Sequence, residues 1–279
     1  MERRTLVILV LAAVALSAAL AWLSLSNAYF WRPRARDAQT QSEVRAVDAF
    51  HKIDLEGAAD VVLVQGTETS LRIEASADTP VATHVRNGTL RIDAGDARHG
   101  LRGLFARGSR ASPKITITFR DLTDIEASGT VKVRGAALRT PSLHVAMSGA
   151  GALDLAGLQT EMLYVEGAGT IKANIAGRAT RQRVEISGAG NYQAAELASD
   201  SARIDVSGAG NVVVNVATSL RVDISGAGAV SYTGNPSVQK SISGMGRVRQ
   251  LADRREVRVD APDPALPSPC EHTARTLIA

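Results

Sequence analysis

The feature that most constrains this chain is a four-residue glycine unit that returns at a nearly fixed interval. It reads Ser148-Gly149-Ala150-Gly151, Glu166-Gly167-Ala168-Gly169, Ser187-Gly188-Ala189-Gly190, Ser207-Gly208-Ala209-Gly210, Ser225-Gly226-Ala227-Gly228 and Ser243-Gly244-Met245-Gly246. Degenerate copies stand at Ser128-Gly129-Thr130 and Glu56-Gly57-Ala58. From Ser128 onward, successive units start 20, 18, 21, 20, 18 and 18 residues apart. A period of this length marks a stacked-repeat architecture, in which each unit buries its apolar face only against its neighbours.

The flanks of the unit alternate with period two. Before the glycines stand Val184 and Ile186, Ile204 and Val206, then Val222 and Ile224; after them, at one offset, stand Ile171, Tyr192, Val212, Val230 and Val248. Alternation on both sides of a Gly-rich corner reads as strand, bend, strand. A rung of 18–21 residues holds a third short strand as well, marked by Leu158, Ile175, Leu197 and Val216. The expectation is an all-β chain whose body is a β-solenoid. Identical corners stacked about 4.8 Å apart leave little room for a Cβ, which gives the glycines a structural task. A Gly-x-Gly pattern also evokes a phosphate-binding loop. That site needs one loop between a strand and a helix, with an acidic residue downstream, whereas here the pattern recurs between strands.

Composition fits a thin coiled sheet better than an ordinary globular enzyme. Of 279 residues, 45% are hydrophobic but only 4% aromatic, and both tryptophans, Trp22 and Trp31, precede the repeats. Mean hydropathy near zero argues against a multi-span membrane protein and against a core-less disordered chain. The single cysteine, Cys270, excludes an intramolecular disulfide framework and a zinc site built from several thiolates. A net charge of +4 without Lys/Arg blocks, and with few stacking aromatics, argues against nucleic acid as a partner.

The amino terminus is of another kind. Thr5 to Leu25 is an apolar run of about 21 residues behind Arg3 and Arg4. At ~1.5 Å per helical residue it matches the hydrocarbon thickness of a bilayer. It is expected to be a transmembrane signal anchor, or a signal peptide cut after Ala21 or Ala28, with Trp22, Tyr29, Phe30 and Trp31 at the interface. Arg32, Arg34 and Arg36 beyond it pull against export, while the amino-terminal flank is signal-like. The expected organisation is a signal segment over 1–31, a linker over 32–48, an irregular β cap over 49–125, solenoid repeats over 126–252 and a Pro-rich disordered tail over 253–279. Within the cap, Gly95 to Ser112 is a basic insertion carrying Arg98, His99, Arg102, Arg107 and Arg110. It reads as a surface loop, or as a contact for anionic glycan or lipid.

The recurring Ile-Ser-Gly-Ala-Gly turns at Ile186–Gly190 and Ile224–Gly228, with the opening Phe50-His51-Lys52-Ile53-Asp54-Leu55, resemble the auto-transporter adhesin head domain, or GIN domain, over roughly Phe50 to Leu251. The resemblance implies a right-handed β-helix outside the cytoplasm, adhesion as the named role, and no catalytic residues to carry over. The passenger and barrel organisation of a true autotransporter is not seen here. That favours retention in the bacterial envelope, anchored in the inner membrane with the β domain facing the periplasm, or export if the segment is cut.

Setting the repeats in register exposes one outward pattern. Arg183, Arg203 and Arg221 are equivalent, as are Glu185, Asp205 and Asp223 two residues on. Stacked like charges ~5 Å apart repel by roughly 1 kcal/mol in water, so adjacent columns of opposite sign compensate one another. The ladder reads either as a neutralised solvated face or as a contact face for glycan or envelope protein. A β-helical, lyase-like polysaccharide enzyme is the alternative. It needs several carboxylates on one cation, whereas each rung offers one already beside an arginine. No catalytic, cofactor or metal-ligating set is expected, and His144 is the nearest histidine in register, two rungs away from the acidic part of the ladder. The expected function is a non-enzymatic envelope domain acting in adhesion, scaffolding or binding.

Overall fold

The computed structural model describes residues 40–76, 81–95 and 112–252. The apolar segment Thr5–Leu25, nearly all of the basic insertion and the tail with Cys270 lie outside these residues. Among the described residues no helix is long and apolar enough to cross a membrane.

The described chain is all β, and its elements join one sheet coiled into a solenoid. β2 (Lys52–Gln65) pairs in parallel with β7 (Asp124–Ala136), and β7 pairs in parallel with β8 (Ser142–Ile186). β8 is a single strand assignment that passes around successive coils, with glycine corners at positive φ at Gly149, Gly157, Gly169 and Gly177. β9 (Ala189–Val206) and β10 (Ala209–Ile224) continue the stack in parallel. β11 (Ala229–Thr233) and β12 (Ser237–Ile242) both lie on β10, and β13 (Arg247–Gln250) lies on β11.

The amino-terminal end is built differently. β5 (Thr89–Ala94) and β6 (Lys114–Phe119) together make one rung on the other side of β2. β3 (Ser70–Ser76) runs antiparallel to β6, β4 (Ala82–Arg86) antiparallel to β5, and β1 (Thr40–Ala46) antiparallel to β3. The first parallel strand in sequence is therefore an interior strand of the stack.

Alternation drives the interior. In β10 the pattern places Leu220, Val222 and Ile224 inside at 2% exposure or less, while Arg221 faces out. The same parity runs through Leu143, Val145 and Met147, and through Ile204 and Val206, giving one continuous aliphatic core. The core also holds one buried polar chain. The Tyr192 hydroxyl donates to Gln182 Oε1 at 3.2 Å, Gln182 Nε2 donates to Ser199 Oγ at 2.7 Å, and Ser199 Oγ donates to the Asn215 carbonyl at 2.7 Å. Burial pushes the Tyr192 phenol well above its ordinary pKa, so it stays a neutral donor.

The structure sets the register of the third strand and corrects one register expectation. The third-strand markers are all buried, but they form no single column: Leu197 pairs with Gly177, and Val216 pairs with Ser199. Register shifts between Asn174 and Gly177 and between Val214 and Asn215 slide the coils past one another. The glycine unit at 166–169 is also displaced. Its stacked glycine is Gly169, whose added Cβ would strike Gly149, rather than Gly167. In consequence Ala173, not Ile171, sits beside Tyr192.

Candidate functional site

The outward positions just before the glycine corner form two columns along the solenoid. β2 sets Lys52 against Asp124, β7 sets Asp124 against His144, and Arg183, Arg203, Arg221 and Gln239 follow in register. Tyr164 fills the gap in this first column. Its ring stacks on His144 at 4.8 Å between centroids and 13° between planes, and the Arg183 guanidinium lies 5.3 Å from its centroid. The second column holds Asp54, Glu126 and Ala146 in register, then Glu185, Asp205, Asp223 and Ser241. The two-residue displacement of the 166–169 unit places Glu166 in this acidic column, beside Glu185.

The ladder residues named from sequence are thus brought together. Arg203 Nε lies 3.0 Å from Asp205 Oδ2 and its Nη2 reaches Asp223 Oδ2 at 3.6 Å, while Arg221 Nε lies 3.1 Å from Asp223 Oδ2. Arg183 Nε donates to Glu185 Oε1 at 2.8 Å. The Arg183 hydrogen bond outweighs the opposing effect of burial and holds the Glu185 carboxyl below its ordinary value. Tyr164 is pushed the other way, first by burial and then by its hydrogen bonds to Glu166 and Glu185. At Asp124, burial is the largest single influence and raises the pKa. The Thr123 hydroxyl, Lys52 and His144 together outweigh it, so the carboxyl titrates below its ordinary value.

Sequence reasoning set His144 two rungs from the acidic positions. The structure places its Nε2 3.8 Å from Glu166 Oε1 and its Nδ1 3.5 Å from Asp124 Oδ1. Missed as well were Asp54 and Glu126, because the upstream rungs lack the full glycine unit that set the register, and Tyr164, because the unit at 166–169 is displaced by two residues. Asp54 is paired by Arg91 at 2.7 Å.

Beside the acidic column the chain bends, and a third column, Ser128, Ser148, Ser187, Ser207, Ser225 and Ser243, lines the bend. Between the acidic and serine columns lies an open groove of about 760 Å³, extending from Asp54 and Arg91 to Ser241 and Ser243. The bend is tight for a physical reason. Gly149 has φ 92°, and a Cβ there would stand 2.6 Å from the Gly129 carbonyl oxygen of the rung below. Among the described residues no group of three His, Cys, Asp or Glu side chains is placed to hold a metal ion.

A coiled parallel sheet with polar columns and a long open groove defines a β-solenoid domain. The family model described as "Putative auto-transporter adhesin, head GIN domain" matches residues 49–236, more than half of the chain, and the chain belongs to that family. The crystal structure of a "putative adhesin" from Bacteroides fragilis NCTC 9343 is similar at a TM-score of 0.68 and 24% identity, covering 76% of this chain and 97% of that one. A "putative lipid binding protein" from Parabacteroides distasonis ATCC 8503 gives 0.60 at 19% identity, covering 77% and 98%. A "putative adhesin" from Parabacteroides merdae ATCC 43184 gives 0.56 at 18%, covering 77% and 97%. At these identities the likeness shows the fold. No curated protein matches the chain.

Proposed function

We propose that this protein is a non-enzymatic binding head of the bacterial cell envelope, and that its contact surface is the double charge column with the groove beside it. The observation that carries this reading is the repetition. Arginine, carboxylate and serine recur together on three successive rungs, at Arg183, Glu185 and Ser187, at Arg203, Asp205 and Ser207, and at Arg221, Asp223 and Ser225, at the strand spacing of about 4.8 Å, along a groove open at its side. Such a surface offers the same polar contact again and again to an extended, repetitive ligand, and an envelope glycan or an extended polypeptide has that form. The Arg and carboxylate groups are already paired, so recognition proceeds by exchanging half-exposed ion pairs for ligand hydrogen bonds. The family's adhesin description supports the reading, and the segment Thr5–Leu25 supplies a membrane tether.

A panel of envelope polysaccharides, extended peptides and lipid vesicles tests it; the vesicles are included because one similar structure is described as lipid-binding. Arg203→Glu with Arg221→Glu is expected to weaken binding to the best ligand at least about tenfold, the loss of roughly 1.4 kcal/mol. Wild-type affinity in that double variant removes the column from the contact surface. Fractionation with protease accessibility tests the tether: release of the β domain from washed membranes without detergent rejects it.

A further inference from the structure

The groove beside the charge columns has two walls, a floor and a pitch, and each narrows what can lie in it. Asp54, Glu126, Glu166, Glu185, Asp205 and Asp223 line one wall, and among the described residues Arg91 is the one cationic side chain in the lining. The hydroxyls of the serine column stand opposite. Between the walls run Ile186, Val206 and Ile224, whose side chains turn into the core at 6% exposure or less, so the floor there is backbone. That backbone is already paired, in the parallel ladders that join β8 to β9 and β9 to β10.

The charges exclude two classes of chain. Arg183, Arg203 and Arg221 stand in the outer column, beyond the carboxylates, and are held by them; Arg203 spans Asp205 at 3.0 Å and Asp223 at 3.6 Å. A polyanion in the groove meets the carboxylates first and is repelled. A polycation exchanges one cation for another at each carboxylate and gains little. A neutral chain of hydroxyl groups meets neither obstacle. A carboxylate has about four lone-pair sites. Arg203 uses two at Asp205, at 3.0 Å on Oδ2 and 3.3 Å on Oδ1, which leaves acceptors for a ligand hydroxyl. On the other wall Ser187 Oγ donates to the Gly167 carbonyl and Ser207 Oγ to the Ile186 carbonyl, each at 3.5 Å, and both oxygens keep lone pairs that can accept.

The pitch excludes a third class. The rungs repeat at about 4.8 Å, whereas an extended polypeptide rises ~3.3 Å per residue and presents the same face only every ~6.7 Å. A peptide running along the groove falls out of step with the columns within two rungs, and the paired floor offers it no strand edge to join. A pyranose ring in an extended β-linked chain is about as long as one rung is high, so successive rings meet the same carboxylate and the same serine. Resting on the reading of these columns as the contact surface, we infer that the ligand is a neutral, extended, β-linked glycan, laid along the solenoid axis with one ring per rung. The stretch it fills first is the three matched rungs of Glu185 and Ser187, Asp205 and Ser207, and Asp223 and Ser225, where the pattern repeats without a break.

Calorimetric titration of the full chain tests this with β-1,4-linked oligomers of glucose and of N-acetylglucosamine, with oligogalacturonate and with oligolysine, all of matched length. Affinity for the tighter neutral series is expected to rise at least about tenfold from two rings to four. Oligogalacturonate and oligolysine are expected to bind at least about tenfold more weakly than the neutral four-ring oligomer. Glu185→Gln with Asp205→Asn and Asp223→Asn frees the arginines, and is expected to weaken the neutral oligomer and strengthen oligogalacturonate, each at least about tenfold. Tighter binding of oligogalacturonate or oligolysine to the unaltered chain, changed by Arg203→Glu with Arg221→Glu, overturns the neutral glycan and leaves the columns as the contact surface. Binding of the neutral oligomer that neither set of substitutions alters lies elsewhere and overturns both readings. A flat length series, or no binding of either neutral series, overturns the neutral glycan.

Discussion

The amino-terminal coils and the coils from β8 onward bury the same kind of aliphatic interior, yet they are wired in opposite ways. From β8 to β13 each coil rests on the one made just before it, so contacts are short-range in sequence and the stack is nearly one-dimensional. At the amino-terminal end the second rung, β2, is laid down first, and the end rung of β5 and β6 is placed beneath it by strands that reverse direction. A parallel coil presents an open edge unless something covers it, and at the amino-terminal end strands that reverse direction do so. The difference teaches that the regular coils make the surface, while the ends decide whether the molecule stays a single unit.

The sharpest way to break this comparison is a cavity at each place. Ile117 is fully buried in β6 between β3 and β2. Ile117→Ala is expected to cost about 3–4 kcal/mol and to lower the whole urea transition. Val222→Ala, equally buried in the sequential coils, is expected to cost about 2 kcal/mol. Its effect should be confined in hydrogen exchange to the rungs around β10. Equal and equally global losses would make the two regions one cooperative unit.

Next in size come the corners. Gly149→Ala forces an L-residue to positive φ against a carbonyl oxygen and is expected to cost about 2–3 kcal/mol. Gly210→Ala, where the new Cβ would meet Val206 Cγ1 at 3.2 Å, is expected to cost under about 1 kcal/mol. The two glycines of a unit are then separable by thermal unfolding. In the core, Tyr192→Phe leaves Gln182 Oε1 without its donor and is expected to cost about 1 kcal/mol.

The smallest effect is electrostatic. Glu185 has a folded-state pKa below its ordinary 4.5. Its pairing therefore stabilises the fold above that value, and the contribution disappears as pH falls through the depressed folded value. Because the carboxylate is about one-third exposed, the contribution is under about 1 kcal/mol. Arg183→Gln is expected to flatten this acid limb in urea titrations carried down through and below the ordinary glutamate value of 4.5. An unchanged limb would show that the ladder pair adds nothing to stability.

Much of this molecule was legible without coordinates because its code is periodic. Alternation at Val184/Ile186, Ile204/Val206 and Val222/Ile224 states which side chains go in, and the corner glycines state where the chain bends. Together they determine an all-β stack of rungs and the pairing of Arg183, Arg203 and Arg221 with Glu185, Asp205 and Asp223. Where the period falters, register was left to the tertiary structure. Only packing decided that Gly169 rather than Gly167 sits on Gly149, since the stacked corner has no space for a Cβ. That two-residue shift is what carries Glu166 into the acidic column, beside His144 and Tyr164. Only the fold set β2 in the interior of the stack, because hydrogen bonding between strands distant in sequence has no local signature. The sequence by itself determined the repeat and its inward face; the tertiary structure decided the register, which fixes the side chains that meet along the outside.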